Sequence, residues 1–348
     1  MTQSAFTPPR LVLYGIGQYG SHVARMAVEK GWPIVAAYNR AGPKVGQDLG
    51  RAIGLGRDLG VVIQDCDSAD YAGLQADIGI VATTSLLRLN LPAYTRLMSA
   101  GLDVLCHGAQ SYYPHTADAP AAAEIEALAL AHGVSFTGGG IWDMSRIWAG
   151  LLVAGPCTHI RSLFHSSITD AQIQAATPQQ AMQVGCGMTV REFFDKGLDK
   201  SPLPGSYKTI PQHVLAALGL RLKETRVRIE PVTFDVAVET RLMGVLPAGR
   251  CLGSRIIVDV DTEEGVAAHA EMDVRFFRPG EIEHMFWSVD GMPRTSVRTE
   301  RLDTDYATAA CLFNRIPDVI AAPPGIVPVS QLGPLKPSAF LGQRQPHG

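Results

Sequence analysis

A short apolar run, Arg10-Leu-Val-Leu-Tyr14, stops at Gly15-Ile-Gly-Gln-Tyr-Gly20, and residues 21–30 then carry apolar side chains at helical spacing. That order predicts a strand, a tight turn and a helix. Pro33-Ile-Val-Ala-Ala-Tyr38 is a second extended apolar run, which completes one βαβ unit. The alternation continues with strands predicted over 61–63, 78–82, 103–106 and 134–136, and helices over 91–100 and 119–132. Apolar strands alternating with helices predict an α/β fold, a Rossmann-type doubly wound parallel sheet.

After Gly138-Gly-Gly140 the pattern changes. Residues 161–169 and 224–278 form long extended stretches with charged residues interleaved, as in Arg255-Ile-Ile-Val-Asp-Val260 and Met272-Asp-Val-Arg-Phe-Phe277. Such alternation predicts a sheet with one wet face, hence a second α+β domain containing an open mixed or antiparallel sheet. An alanine-rich helix returns over 303–314, ahead of a tail rich in proline and glycine. The expected organisation is a dinucleotide-binding domain over 1–140, an α+β substrate and dimerisation domain over 141–302, and a helix and tail over 303–348 that return to the first domain. A length of 348 residues suits two domains.

Charge and composition narrow the function. Lys and Arg number 30 against 33 Asp and Glu, and no basic run tracks along any segment, so a nucleic-acid partner is not expected. No apolar run approaches the roughly 18 residues of a spanning helix, and residues 1–9 lack the pattern of a secretory signal. The expectation is a cytoplasmic protein without membrane contact that acts on a small molecule. The six cysteines contain no CxxC pair, so they read as reduced packing residues, and neither a metal site nor a disulfide framework is expected.

Gly15, Gly17 and Gly20 form G-x-G-x-x-G between a predicted strand and a predicted helix. In that setting the first glycine permits the turn, the second lets the backbone approach a pyrophosphate, and the third lets the helix pack on the strand. Ile16, Gln18 and Tyr19 belong to the same turn. An acidic residue at the end of the second strand binds the ribose hydroxyls in NAD sites; here that place holds Asn39-Arg40. Arg40 can pair with a 2′-phosphate, which favours NADP(H). A solvated Arg40 beside an asparagine that accepts either cofactor leaves NAD(H) open.

Ligands of open α/β sheets lie outside the carboxyl ends of the strands, so the loops after residues 82, 106 and 136 are expected at the reacting centre. The first offers Thr83, Thr84 and Ser85 for the cofactor, or as ordinary caps. The second carries His107, a candidate proton donor and cofactor neighbour or a packing histidine, with Tyr112 and Tyr113 as a substrate wall or a phenolic donor. The third carries Trp142 and Asp143, the latter a catalytic carboxylate or a helix cap, and then Arg146, a substrate ligand or a salt-bridge partner. In the second domain His165 is a candidate for substrate contact.

Four segments together carry a family resemblance: Tyr14-Gly-Ile-Gly-Gln-Tyr-Gly20, Lys44-Val-Gly-Gln-Asp-Leu-Gly50, Val81-Ala-Thr-Thr-Ser85 and Asn314-Arg-Ile-Pro-Asp-Val-Ile-Ala-Ala-Pro-Pro-Gly-Ile326. In this order they resemble the 2,4-diaminopentanoate dehydrogenases and native amine dehydrogenases, whose fold is similar to dihydrodipicolinate reductase. The resemblance implies hydride transfer to or from a CH–NH2 or C=N centre, as in reductive amination of a small carbonyl compound, and a homodimer is expected. Where that family carries a Glu-Glu stretch before Tyr-Pro, this chain has Ala109-Gln110. Gly140-Ile-Trp-Asp-Met144 stands where Gly-x-Asn-Pro-Gly is usual. An NADPH-dependent ketone or aldehyde reductase and a non-catalytic NADP(H)-binding protein are the alternatives.

Overall fold

A computed structural model of the chain describes residues 7–175 and 177–338; the expectations for the first six residues and for the tail beyond 338 lie outside them. The chain divides into two units. Unit 1 comprises the residues up to Asp143 together with those from Asp305 onward, and unit 2 spans Met144–Thr304.

Unit 1 contains β1 (Leu11–Tyr14), β2 (Ile34–Asn39), β3 (Ile63–Asp65), β4 (Ile78–Val81), β5 (Asp103–Cys106) and β6 (Ser135–Gly138). All lie in one seven-stranded sheet, in the order β6-β5-β4-β1-β2-β3, with the two-residue strand Gly325–Ile326 added outside β6. Every pairing is parallel. Order reverses between β1 and β4, so their carboxyl ends open onto a crevice.

Side chains alternate across the pleat, and β1 shows why this sheet must be covered twice. Leu11 and Leu13 enter one core with the helices Gln18–Lys30 and Thr304–Ile320, while Val12 and Tyr14 enter another with Leu87–Ser99 and Ala119–His132. The helix Thr304–Ile320 supplies Ala309, Leu312, Phe313, Ile316 and Val319 to the first core, an i, i+3, i+4 stripe. Phe313 lies against Trp32 with ring centroids 4.3 Å apart.

Some local boundaries differ from the apolar pattern. The helix predicted over 91–100 runs from Leu87, because its first N–H donates to the side-chain oxygen of Gln110, a cap 23 residues away in the chain. The extended run at 61–63 becomes β3 two residues later. The strand predicted over 134–136 reaches Gly138 and is not the last, since Gly325–Ile326 pairs beside it. At Asp143, expected as a carboxylate or a helix cap, the chain enters a wide π-type turn, Asp143–Trp148, before the short helix Ala149–Ala154.

Unit 2 is built on β7 (His159–Asp170), β8 (Leu222–Thr233), β11 (Cys251–Thr262), β12 (Ala267–Arg275), β13 (Glu283–Met292) and β14 (Thr295–Arg301), with β9 (Val238–Thr240) and β10 (Gly244–Leu246) as a separate hairpin. The six-stranded order is β14-β13-β7-β12-β11-β8, in which only β7 and β12 run parallel, so the sheet is mixed. Along β7, Leu163, His165, Ser167 and Thr169 are buried while Phe164, Ser166 and Ile168 are half-exposed. The wet face is laced with charge: His269 sits between Asp259 (2.7 Å) and Glu271 (3.2 Å), and Arg255 reaches Asp273 at 2.7 Å. Among the described residues no helix is long and apolar enough to cross a membrane.

Truncating Phe313 to Ala removes the ring that fills the space beneath Trp32, so unit 1 should lose about 3–5 kcal/mol. Urea unfolding followed by far-UV circular dichroism measures it; an unchanged midpoint would show that this helix is not part of the core it appears in.

Candidate dinucleotide site and neighbouring loops

The three glycines of the turn are required for three different reasons. Gly15 has φ +99°, and a Cβ there would lie 2.6 Å from the Ala82 carbonyl oxygen. At Gly20 a Cβ would lie 2.0 Å from the Gly15 carbonyl oxygen, so the helix Gln18–Lys30 seats directly on the turn. Gly17 caps that helix with ordinary φ −86°, and a Cβ there would meet nothing within 4 Å. The protein itself does not need Gly17 bare; the open space beside it is what a ligand needs. The helix start has no side-chain cap and no acidic residue in its first turn, so its positive dipole end suits a pyrophosphate.

Around the turn the side chains are tied down. Ile16 N–H donates to Asn39 Oδ1 at 3.3 Å, and the Ile16 carbonyl accepts from Lys44 Nζ at 2.5 Å. Asn39 therefore orients the turn, while Arg40 is exposed immediately after it. Lys44 is a second cation at this place that the sequence reading did not single out; only its long-range bond to Ile16 reveals it. Gln18, exposed, donates to Asp305. Tyr19 lies 5.0 Å from the His107 imidazole, ring centre to ring centre.

The loops after β4 and β5 are joined to each other. Thr83 Oγ1 donates to Asn90 Oδ1 (2.5 Å), Asn90 Nδ2 donates to the Thr84 carbonyl (2.8 Å), and the Ser85 carbonyl accepts from Gln110 N–H (3.1 Å). His107 is half-buried, and desolvation holds its imidazole down at about 4, so it is neutral near pH 7. Burial raises the Tyr113 phenol, which stays protonated and able to donate. Tyr112 is buried; its hydroxyl accepts from Trp142 N–H at 3.2 Å and its ring lies 5.3 Å from the Trp142 ring.

Asp143 is fully buried, and its Oδ2 accepts from Arg315 Nε (2.9 Å) and Nη2 (2.7 Å). Burial pushes its carboxyl up to about 6 against the pull of that guanidinium. Arg315 also donates to Asp318 (2.8 Å) and the Gly333 carbonyl (3.1 Å). In unit 2, Arg146 is equally buried, with Ser167 Oγ at 3.0 Å, Thr169 Oγ1 at 3.2 Å, and the Tyr207 ring 5.1 Å from its guanidinium carbon. His165 Nδ1 must donate to the Phe286 carbonyl (2.9 Å), which turns Nε2 as an acceptor toward Arg146 (3.4 Å). Burial and Arg146 hold His165 well below the usual imidazole range. The structure thus gathers the glycine turn, Asn39 and Lys44 at one place, Tyr19 with His107, Tyr112 with Trp142, and Arg146 with His165.

Two outcomes follow. Gly17→Val should give a folded protein that no longer binds a dinucleotide, whereas Gly20→Val should fail to fold; fluorescence titration and circular dichroism separate them, and tight binding by Gly17→Val would refute the open-space argument. Arg315→Leu leaves Asp143 buried beside no guanidinium, at a cost of about 3–5 kcal/mol at neutral pH. Loss of Arg315 raises the folded carboxyl pKa further above its unfolded value. A carboxyl raised in this way loses stability as pH climbs through the folded pKa, so the deficit should shrink as pH falls toward 5. A deficit independent of pH would show that the ion pair is not its cause.

No protein-family model matches the chain. It is 25% identical over 331 residues to the 2,4-diaminopentanoate dehydrogenase of Acetoanaerobium sticklandii, covering 91% of each. Its fold is similar to dihydrodipicolinate reductase from Paenisporosarcina sp. TG-14, with a TM-score of 0.51 at 11% identity over 92% of this chain and 97% of that one. With the amine dehydrogenase of Mycobacterium smegmatis it shares 31% identity over 95% of its own length and 98% of the other, at a TM-score of 0.83. A dinucleotide turn on a doubly wound sheet, joined to a mixed-sheet unit and matched over nearly the whole length, places this chain in the amine dehydrogenase family, as an NAD(P)-dependent oxidoreductase.

Proposed function

We propose that the protein is an NADP(H)-dependent amine dehydrogenase, interconverting a small carbonyl compound plus ammonia with the corresponding primary amine. The observation that carries the cofactor part is the open space at Gly17 in front of an uncapped helix start, with Arg40 and Lys44 on the loop that follows β2. A bound nicotinamide supplies or accepts the hydride. The N–H groups of the glycine turn hold the pyrophosphate, and Arg40 with Lys44 faces the 2′-phosphate. Thr83, Thr84 and Ser85 line the carboxyl end of β4. Tyr113, protonated across the physiological range, donates to the heteroatom of the reacting centre, and neutral His107 accepts a hydrogen bond beside it. Asp143 acts through the arrangement of the loop that follows β6, since its carboxylate is committed to Arg315.

The second reading, reduction of a ketone or aldehyde without ammonia, is favoured by one observation: Gln110 spends its side-chain oxygen on the N-terminus of the helix Leu87–Ser99, and Ala109 offers no polar group. NADPH consumption over a panel of small ketones, with and without ammonium, decides between the two; rates that ignore ammonium would sink the amine reading. Arg40→Ala and Lys44→Ala should each raise the KM for NADPH about 10-fold or more, the scale of one charge-assisted hydrogen bond, and leave that for NADH within about twofold. Equal effects on both cofactors would remove the 2′-phosphate assignment.

A further inference from the structure

Beneath the loops that follow β4 and β5 lies a set of polar side chains withdrawn from water: Asn90, Tyr94, Cys106 and Ser111, each at most 2% exposed. Tyr94 and Asn90 come from the same face of the helix Leu87–Ser99, four residues apart. Cys106 ends β5 and Ser111 lies in the turn beyond it. The Cys106 sulfur accepts from Tyr94 Oη at 3.0 Å and from Gly108 N–H at 3.3 Å, with Asn90 Nδ2 at 3.7 Å. With its proton on sulfur, the Tyr94 oxygen accepts from Ser111 Oγ at 3.1 Å. Asn90 also holds Thr83 and Thr84 of the other loop. The contact is close-packed: a Cβ at Gly108 would lie 2.7 Å from the Thr84 carbonyl oxygen, and one at Gly138 would lie 2.1 Å from the Ser111 backbone.

Apolar side chains of similar volume replacing the whole set would fill this place at little loss of stability, because exchanging both partners of a buried hydrogen bond is nearly neutral. What the polar set adds is direction. Each bond fixes one backbone segment at the carboxyl edge of the sheet relative to another, and the segments it fixes carry Thr83, Thr84, His107 and Tyr113.

We infer that Tyr94 and Asn90 are positioning residues for hydride transfer: through Cys106 and Ser111 they lock the His107–Tyr113 loop to the Thr83–Ser85 loop in one geometry. This rests on the reading that those loops border the nicotinamide. Neither residue touches cofactor or substrate, so their removal should disturb alignment and spare binding. A displacement of an ångström at a reacting centre costs up to roughly 100-fold in rate.

The test compares the wild-type protein with Tyr94→Phe, which deletes one oxygen, and Ser111→Ala, which deletes the neighbouring one. Expected are a kcat of the folded protein lowered roughly 10-fold or more, a dinucleotide Kd and substrate KM within about twofold, a melting temperature lowered by only a few degrees because each deletion leaves one buried partner unsatisfied, and a larger primary isotope effect with cofactor deuterated at the transferred position. A purely structural role would move the melting temperature and leave kcat and the isotope effect of the folded fraction alone; that result in both variants overturns the inference. Should one variant not fold, the other decides alone. If the wild-type protein itself shows no nicotinamide-dependent turnover, the functional reading falls and this inference with it. Normal wild-type turnover with unaltered kcat in the variants removes the inference only.

Discussion

The approach of Gly20 to the carbonyl of Gly15 is the constraint on which unit 1 depends. Two backbone segments meet there with no room for a methyl group, and only that contact lets a 13-residue helix start at the edge of β1 with its N-terminus aimed along the crevice. A larger residue would lift the helix, and with it the positive dipole end that makes the crevice attractive to an anion. Ala82 and Thr83 close the other side of Gly15, so the same turn also fixes where β4 releases its loop. Position, charge preference and the neighbouring hydroxyls all follow from one steric fact.

Two buried polar groups show how orientation is fixed in the interiors. Arg315 is shared among Asp143, Asp318 and a carbonyl, which fixes the chain beyond β6 against the C-terminal helix. His165 is held in one tautomer by a carbonyl, so that an acceptor rather than a proton faces Arg146. Lone buried charges would cost several kcal/mol apiece, and these arrangements avoid that cost while specifying a single geometry.

Local signals were legible and distant ones were not. The strand, turn and helix of residues 11–30 could be read because apolar period, glycine spacing and helix entry all lie within twenty residues. The mixed character of the second sheet depends on β7 pairing in parallel with β12, about a hundred residues later, and nothing in either strand encodes that choice. Gly325–Ile326 is too short to carry a pattern and becomes a strand only because β6 offers an edge. At the turn, Gly15, Gly17 and Gly20 could be named from spacing. Lys44 could not, since its role rests on a carbonyl 28 residues away, nor could the Arg315 partner of Asp143, 172 residues distant. Cys106 read as a packing residue from composition and proves to be the acceptor at the centre of a polar cluster, a distinction that composition does not contain.

The interrupted chain order of unit 1 has a consequence on the ribosome. When residue 143 has been polymerised, the free edge of β6 and the apolar face around Leu13, Ala27 and Trp32 still lack the helix and strand that will cover them, and the whole of unit 2 must be made first. At roughly 5–20 residues per second that delay is on the order of ten seconds or more. For that interval the nascent polypeptide carries an unsatisfied strand edge beside an oily surface, a combination that invites intermolecular pairing. A fold whose first domain is contiguous in sequence has no such interval.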